Sequence, residues 1–168
     1  FILICGCTQQ TTEDEAESII DNSGYTISTL SDGNLSLKWR VNNNSQLDAS
    51  LIGDPGGKGW IAIGFGKSIM ADAKIIVAQN GSDGTSISTA MGYNFGLNNS
   101  SVNLTNTNVV LNSTQITASF NVLLSDLNIT LNSPTNIIWA YRTVDQGILS
   151  NLSNIGKHSS RGSTSIIF

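Results

Sequence analysis

The chain of 168 residues carries 8 Lys+Arg against 12 Asp+Glu, a formal net charge of -4, so it lacks the basic face that nucleic-acid binding requires. Hydrophobic residues at 39%, with Gly 16 and Pro 2, fit one globular domain and exclude collagen-like sequence and wholesale disorder. No stretch reaches the roughly 18 consecutive apolar residues of a membrane-spanning helix.

The first segment, Phe1-Ile2-Leu3-Ile4-Cys5-Gly6-Cys7, is apolar and turns polar at Thr8. It reads as the remnant of a secretory signal peptide over residues 1–7. Ile4-Cys5-Gly6-Cys7 is similar to a lipobox, in which cleavage after Gly6 leaves Cys7 as the lipid-bearing N-terminus. Acyl chains on Cys7 then anchor an exported domain to the outer face of a cell membrane. The competing reading is a disulfide or metal pair at Cys5 and Cys7, although no further Cys is present to complete a zinc site. With Cys7 acylated, the mature domain has no thiol, and a C-x-x-C-H attachment of c-type haem is excluded. Residues 8–22, rich in acids and free of bases, read as a flexible spacer ahead of a domain over residues 23–168. Nine N-x-[ST] sequons follow, beginning at Asn34, and their density suits an exported glycoprotein.

From residue 23 the period of the apolar residues is two. Tyr25–Leu30 and Leu35–Val41 alternate strictly. Further strands are expected at 47–52, 60–65, 74–78, 86–90, 108–111, 115–122, 136–141 and 163–168, separated by turn signals such as Ser31-Asp32-Gly33 and Gly53-Asp54-Pro55-Gly56-Gly57. One helical turn is expected near 123–127, and residues 97–114 read as polar loop and edge strand. About ten short strands at this spacing predict an all-β fold, an antiparallel β-sandwich of the immunoglobulin-like kind.

Catalytic constellations are scarce. His158 is the single histidine, and residues 23–168 contain no Glu. No G-x-S-x-G elbow supports a Ser-His-Asp triad. The scattered Asp residues sit in Gly-rich turns, where they cap the backbone. Two segments remain. Gly59-Trp60-Ile61-Ala62-Ile63-Gly64-Phe65-Gly66 is a strand whose glycines leave room for a flat group, with Met70 and Asp72 in the loop beyond it. The other runs from Asn154 to Gly162 and places His158 and Arg161 in a loop leading into the last strand.

Taken in order with Trp39 and Trp139-Ala140, these segments make residues 25–168 resemble a DOMON domain. The likeness is to the haem-binding kind found in the cytochrome part of cellobiose dehydrogenase and in surface b-type cytochromes. The resemblance implies an immunoglobulin-like sandwich and one non-covalent haem b held between a Met and a His, which map onto Met70 and His158. The residue inventory agrees. A single His rules out bis-His ligation within one chain, and Met91 is the one other thioether. Met/His ligation fills both axial positions and raises the potential, so the implied role is single-electron transfer rather than catalysis. Arg161, with Lys157 beside it, suits a haem propionate, because a guanidinium recognises carboxylates in bidentate fashion. Lys67 and Tyr93 are weaker candidates. Trp60 is expected in the core or against the porphyrin, and Trp39 and Trp139 in the sandwich core. The implied partners are haem, a separate redox protein or small molecule, and the membrane through Cys7. Two alternatives stay open: a carbohydrate-binding module on the same fold, stacking sugars on Trp60 and Tyr93, and a glycosylated surface protein without a cofactor.

Overall fold

The computed structural model describes residues 15–31, 33–42, 45–93, 96–100, 102–149 and 151–168. Cys5 and Cys7, and with them the lipobox, lie outside the described residues. Twelve strands follow in chain order: β1 (Ser18–Ile20), β2 (Thr26–Thr29), β3 (Leu35–Val41), β4 (Gln46–Gly53), β5 (Gly59–Phe65), β6 (Lys74–Gly81), β7 (Gly84–Tyr93), β8 (Gly96–Asn99), β9 (Thr105–Asn112), β10 (Gln115–Leu123), β11 (Pro134–Arg142) and β12 (Ser160–Ile167). The expected helical turn is a 3-10 turn over Leu124–Leu127, and a second one covers Leu152–Asn154.

The strands form two antiparallel six-stranded sheets, ordered β1-β2-β3-β4-β10-β9 and β12-β11-β5-β6-β7-β8. The all-β sandwich expected from the alternation is therefore the observed fold, with twelve strands rather than about ten. The two additional strands are β1 and β8. β1 lies inside the stretch 8–22 that reads as a flexible spacer. Ser18–Ile20 pairs with Thr26–Ser28, and Glu15 bridges to Ser165 of the other sheet, so the ordered domain begins before residue 23. Backbone pairing, which the acidic composition does not reveal, overrides the spacer reading here.

Alternation in the first sheet is clean because one of its faces meets water. Leu35, Leu37 and Trp39 of β3, Leu47, Ala49 and Leu51 of β4, and Ile116, Ala118, Phe120 and Val122 of β10 are buried. They meet Ile61, Ile63, Phe65, Ile76, Ala78, Ile137 and Ile166 of the second sheet. Burial of each large apolar side chain contributes about 1.5–3 kcal/mol. Trp39 closes one end of this core. Its ring lies 4.8 Å from that of Phe168, and its Nε1 donates to Ser28 Oγ at 3.2 Å. Trp139 packs against the same core and stacks on Tyr141 with centroids 6.5 Å apart.

The second sheet departs from alternation. All seven residues of β5 and most of β6 are buried, which requires cover on both faces of the sheet. The cover on the outer face comes from the loop 66–73 and the long connection 143–159.

Candidate functional site

The outer face of the second sheet carries an apolar cluster separate from the main core. Trp60, Ala62, Ala73, Ile75, Val77, Ala90, Leu97 and Leu152 are its buried members, with Met70, Ile138, Ala140 and Ile155 packed against it. Strand pairing explains the grouping. Ala140 stands opposite Ala62, Ala62 opposite Val77, and Ile138 opposite Gly64, so their side chains share one face. The small residues Ala62, Ala90 and Ala140 keep the middle of that face shallow. Gly64 does not supply the expected free space, because a Cβ there would meet Ile138 Cγ1 at 2.6 Å and Ile75 Cγ1 at 3.2 Å.

Met70 reaches this cluster from the loop joining β5 to β6. The loop is clamped to β7: Asp72 N donates to Gly92 O at 2.8 Å, and Gly92 N donates to Ala73 O at 3.0 Å. Asp72 sits in the left-handed region at φ 62, which turns the chain back into β6. Met91 is placed differently. It neighbours Ala90 on β7, so strand alternation turns it to the sheet face opposite the one Ala90 shares with Met70.

The connection 143–159 lies across the other part of the face as a strap. The buried Gln79 grips it twice, accepting from Leu149 N and donating to Leu149 O, each at 3.2 Å. Lys58 Nζ pairs with Asp145 at 3.1 Å, and Asp145 also accepts from Gly147 N at 3.0 Å. The Gly147 amide and then Lys58 hold the Asp145 carboxyl below the usual carboxylate range. Asn151 caps the second 3-10 turn by accepting from Ser153 N at 3.0 Å, which aims Leu152 into the cluster. A cleft of about 490 Å³ opens beside this turn, lined among others by Ser88, Thr89, Asn98 and Asn151, with neither Met70 nor His158 on its wall.

His158 ends the strap. Its neighbour Ser159 donates to Tyr141 O at 2.8 Å, and Arg142 Nη1 donates to Lys157 O at 2.6 Å, so β11 holds the backbone on both sides of the imidazole. Burial, then the positive charges of Arg161 and Lys157, push the His158 pKa below its ordinary value. At neutral pH the ring is therefore uncharged, with a lone pair free for a metal. Arg161 corrects one expectation: it lies in β12, not in a loop, because the strand starts at Ser160. It stands opposite Ala140 and is exposed. Lys67 and Tyr93 are also exposed. Trp60 is buried at 4% exposure, which removes it as a sugar-stacking platform. Among the described residues there is no group of three or more His, Cys, Asp or Glu side chains able to hold a metal ion, and no helix long and apolar enough to cross a membrane.

Met70 thus reaches the outer apolar face from one loop, and β11 holds the backbone on both sides of His158 at the end of the strap. A DOMON domain model matches residues 31–142, more than half of the chain. The chain belongs to the DOMON domain family. The match contains Trp60 and Met70, and His158 and Arg161 lie beyond it. The fold of this DOMON domain is similar to that of the cytochrome b domain of pyranose dehydrogenase from Coprinopsis cinerea, at TM-score 0.69 and 15% identity over 90% of this chain and 87% of that one. It is also similar to the cytochrome domain of Myriococcum thermophilum cellobiose dehydrogenase, at TM-score 0.62 and 15% identity over 91% of this chain and 87% of that one. No curated protein sequence matches the chain.

Sequence reasoning singled out Met70, His158, Arg161 and Trp60. It missed Arg142, Gln146 and Gln79, which organise the strap. The signal was faint: two Gln and an Arg, scattered over β6, the end of β11 and the strap, carry no motif.

Proposed function

We propose that this DOMON domain binds one haem b non-covalently, with Met70 and His158 as axial ligands, and relays single electrons. The observation that carries the reading is the second sheet's apolar outer face, which Met70 reaches from the loop before β6, with His158 at the end of the connection whose Leu152 and Ile155 pack on the same face. The residues fit the group. A porphyrin needs a dry apolar bed, which Ala62, Val77, Ala90 and Ala140 provide, and Trp60 leaves a buried indole N–H unpaired beside it. When bound, the iron supplies a one-electron couple, and an imidazole–thioether pair biases it towards the ferrous state. The chain's part is to fix both ligands. The Gly92 and Ala73 hydrogen bonds hold the Met70 loop, and Tyr141 and Arg142 hold the backbone around His158. With Met70 and His158 both supplied by the chain, a bound iron would have no open coordination for substrate. The fold likeness to two cytochrome domains supports this reading.

The same proposal includes export, a lipid on Cys7 anchoring the domain to the outer face of the membrane, and a separate redox protein or small molecule as electron partner. Glycosylation would be confined to exposed sequons. Asn80 is excluded, since it is buried and its Nδ2 donates to Gly57 O at 2.7 Å.

A visible spectrum of the purified protein after incubation with haem tests the cofactor. Soret and sharp α/β bands in the reduced state are expected, and their absence would overturn the reading. Intact mass tests the anchor: a diacylglyceryl adduct on Cys7 is expected, and an unmodified N-terminus at Thr8 or beyond would remove it.

A further inference from the structure

Among the described residues, four buried side-chain nitrogen or oxygen atoms have no hydrogen-bond partner: Ser31 Oγ, Trp60 Nε1, Arg142 Nε and Gln146 Nε2. The last three are all donors, and they belong to one patch. Arg142 stands directly opposite Trp60 where β11 pairs with β5, so the two side chains leave the sheet on the same face. Gln146 joins them through Gly156. A Cβ on Gly156 would collide with the Arg142 guanidinium and would lie 2.7 Å from Gln146 Oε1. Only a glycine lets the strap pass this close to both side chains.

Two other polar atoms of these residues are already committed. Arg142 Nη1 donates to Lys157 O, and Gln146 Oε1 accepts from Gly156 N at 3.0 Å. The second bond also fixes which end of the Gln146 amide is the nitrogen. The nearest acid in sequence, Asp145, is taken up by Lys58 and the Gly147 amide. Three buried donors without an acceptor are costly in one place, and native structures rarely tolerate them unless something else supplies the acceptor. One guanidinium flanked by two neutral N–H groups is the donor set of a carboxylate site.

We infer that Trp60 Nε1, Arg142 Nε and Gln146 Nε2 form a carboxylate-binding site, and that its occupant is a propionate of the bound porphyrin. The inference rests on the haem reading above. Arg142 connects the two, because it holds the carbonyl of Lys157, the residue just before His158. A porphyrin held by His158 would have these donors close by in the chain fold. Arg161 differs, being exposed on β12 and positioned to meet a carboxylate only at the surface.

The test titrates the full apo-chain with haem b and with haem dimethyl ester, following the Soret band. Gln146→Glu keeps the oxygen that accepts from Gly156 N and replaces only the orphan donor. The wild type is expected to bind haem b at least on the order of tenfold more tightly than the ester. Gln146→Glu and Trp60→Phe are expected to lose roughly tenfold for haem b and less than about twofold for the ester. The ester arm also shows that each variant still folds. Equal wild-type affinity for the two porphyrins, or equal losses with both, overturns the carboxylate site and leaves the haem reading standing. Discrimination abolished by Arg161→Ala and untouched by Gln146→Glu overturns it in favour of the surface arginine. Binding of neither porphyrin overturns the haem reading and this inference together.

Discussion

Gly92 lies flush against the carbonyl group of Met70, so close that a Cβ on Gly92 would overlap the oxygen. The contact joins the C-terminal end of β7 to the loop that carries the thioether, and it sets how far Met70 stands off the sheet. Gly92→Ala is expected to push that loop outward and to cost about 1–3 kcal/mol of stability, the usual range for overpacking. In haem-loaded protein the variant should lose the low-spin spectrum at temperatures where the fold is intact. Thermal unfolding and visible spectra measure the two effects separately. A variant with native stability and an unchanged spectrum would mean that the loop is not held by this contact.

The two proposed ligands make unequal predictions. His158→Ala should abolish stable haem retention, because a lone thioether binds iron weakly. Met70→His should retain haem and lower the reduction potential. Met91→Leu should change neither coordination nor spectrum, since Met91 faces the other side of the sheet from Ala90 and the outer cluster. Redox titration of the three variants decides the assignment. A low-spin spectrum that depends on Met91 instead of Met70 would move the ligand to the wrong face and break it.

Arg161 is exposed, so its contribution is expected to be small. A single solvent-exposed pair contributes roughly 0.2–1 kcal/mol. Arg161→Ala should therefore weaken haem retention by less than about tenfold and leave the six-coordinate spectrum intact. Haem transfer to apomyoglobin gives the rate. Complete haem loss would show that Arg161 does more than a surface charge can.

Asp145 gives the strap a defined acid limit. Its carboxyl is held below the usual range by the Gly147 amide and Lys58, so its stabilising effect is fully present above the unfolded value of about 3.9 and is lost as pH falls through the lower folded value. Protection of the Gly147 amide, which donates to Asp145, from hydrogen exchange, corrected for intrinsic rates, should stay constant from about pH 7 to 5 and fall only below about 4. Loss of protection between pH 7 and 5 would assign control of the strap to another group.

Most of the first sheet was legible in the sequence, and the reason is physical. β3 spans Leu35–Val41 as the alternation predicts, because only one face of that strand is buried and the pattern records it directly. β5 was found through its glycines and apolar run, yet its sequence cannot say that a strap covers its second face. Leu152 and Ile155, which do the covering, are two apolar residues in a polar loop with no period of their own. β1 escaped because Ser18-Ile19-Ile20 is exposed and short, and is held by backbone pairing to β2. At the site, Met70 and His158 stood out through the family resemblance. The donors Trp60 Nε1, Arg142 Nε and Gln146 Nε2 did not, since their meaning lies in a convergence that only the folded backbone creates.

The N-terminal chain touches both sheets before it enters either core: Ala16 N donates to Ser165 O at 3.1 Å, and two residues later Ser18 begins pairing with β2. Tension applied to the chain ahead of Glu15 is received first by these few peripheral bonds. β1 is an edge strand paired only with β2, so it peels away before the core strands β3, β4 and β10 are strained. The N-terminal stitch thus works as a mechanical fuse, giving at the margin of the domain while the packed centre of the first sheet stays at rest.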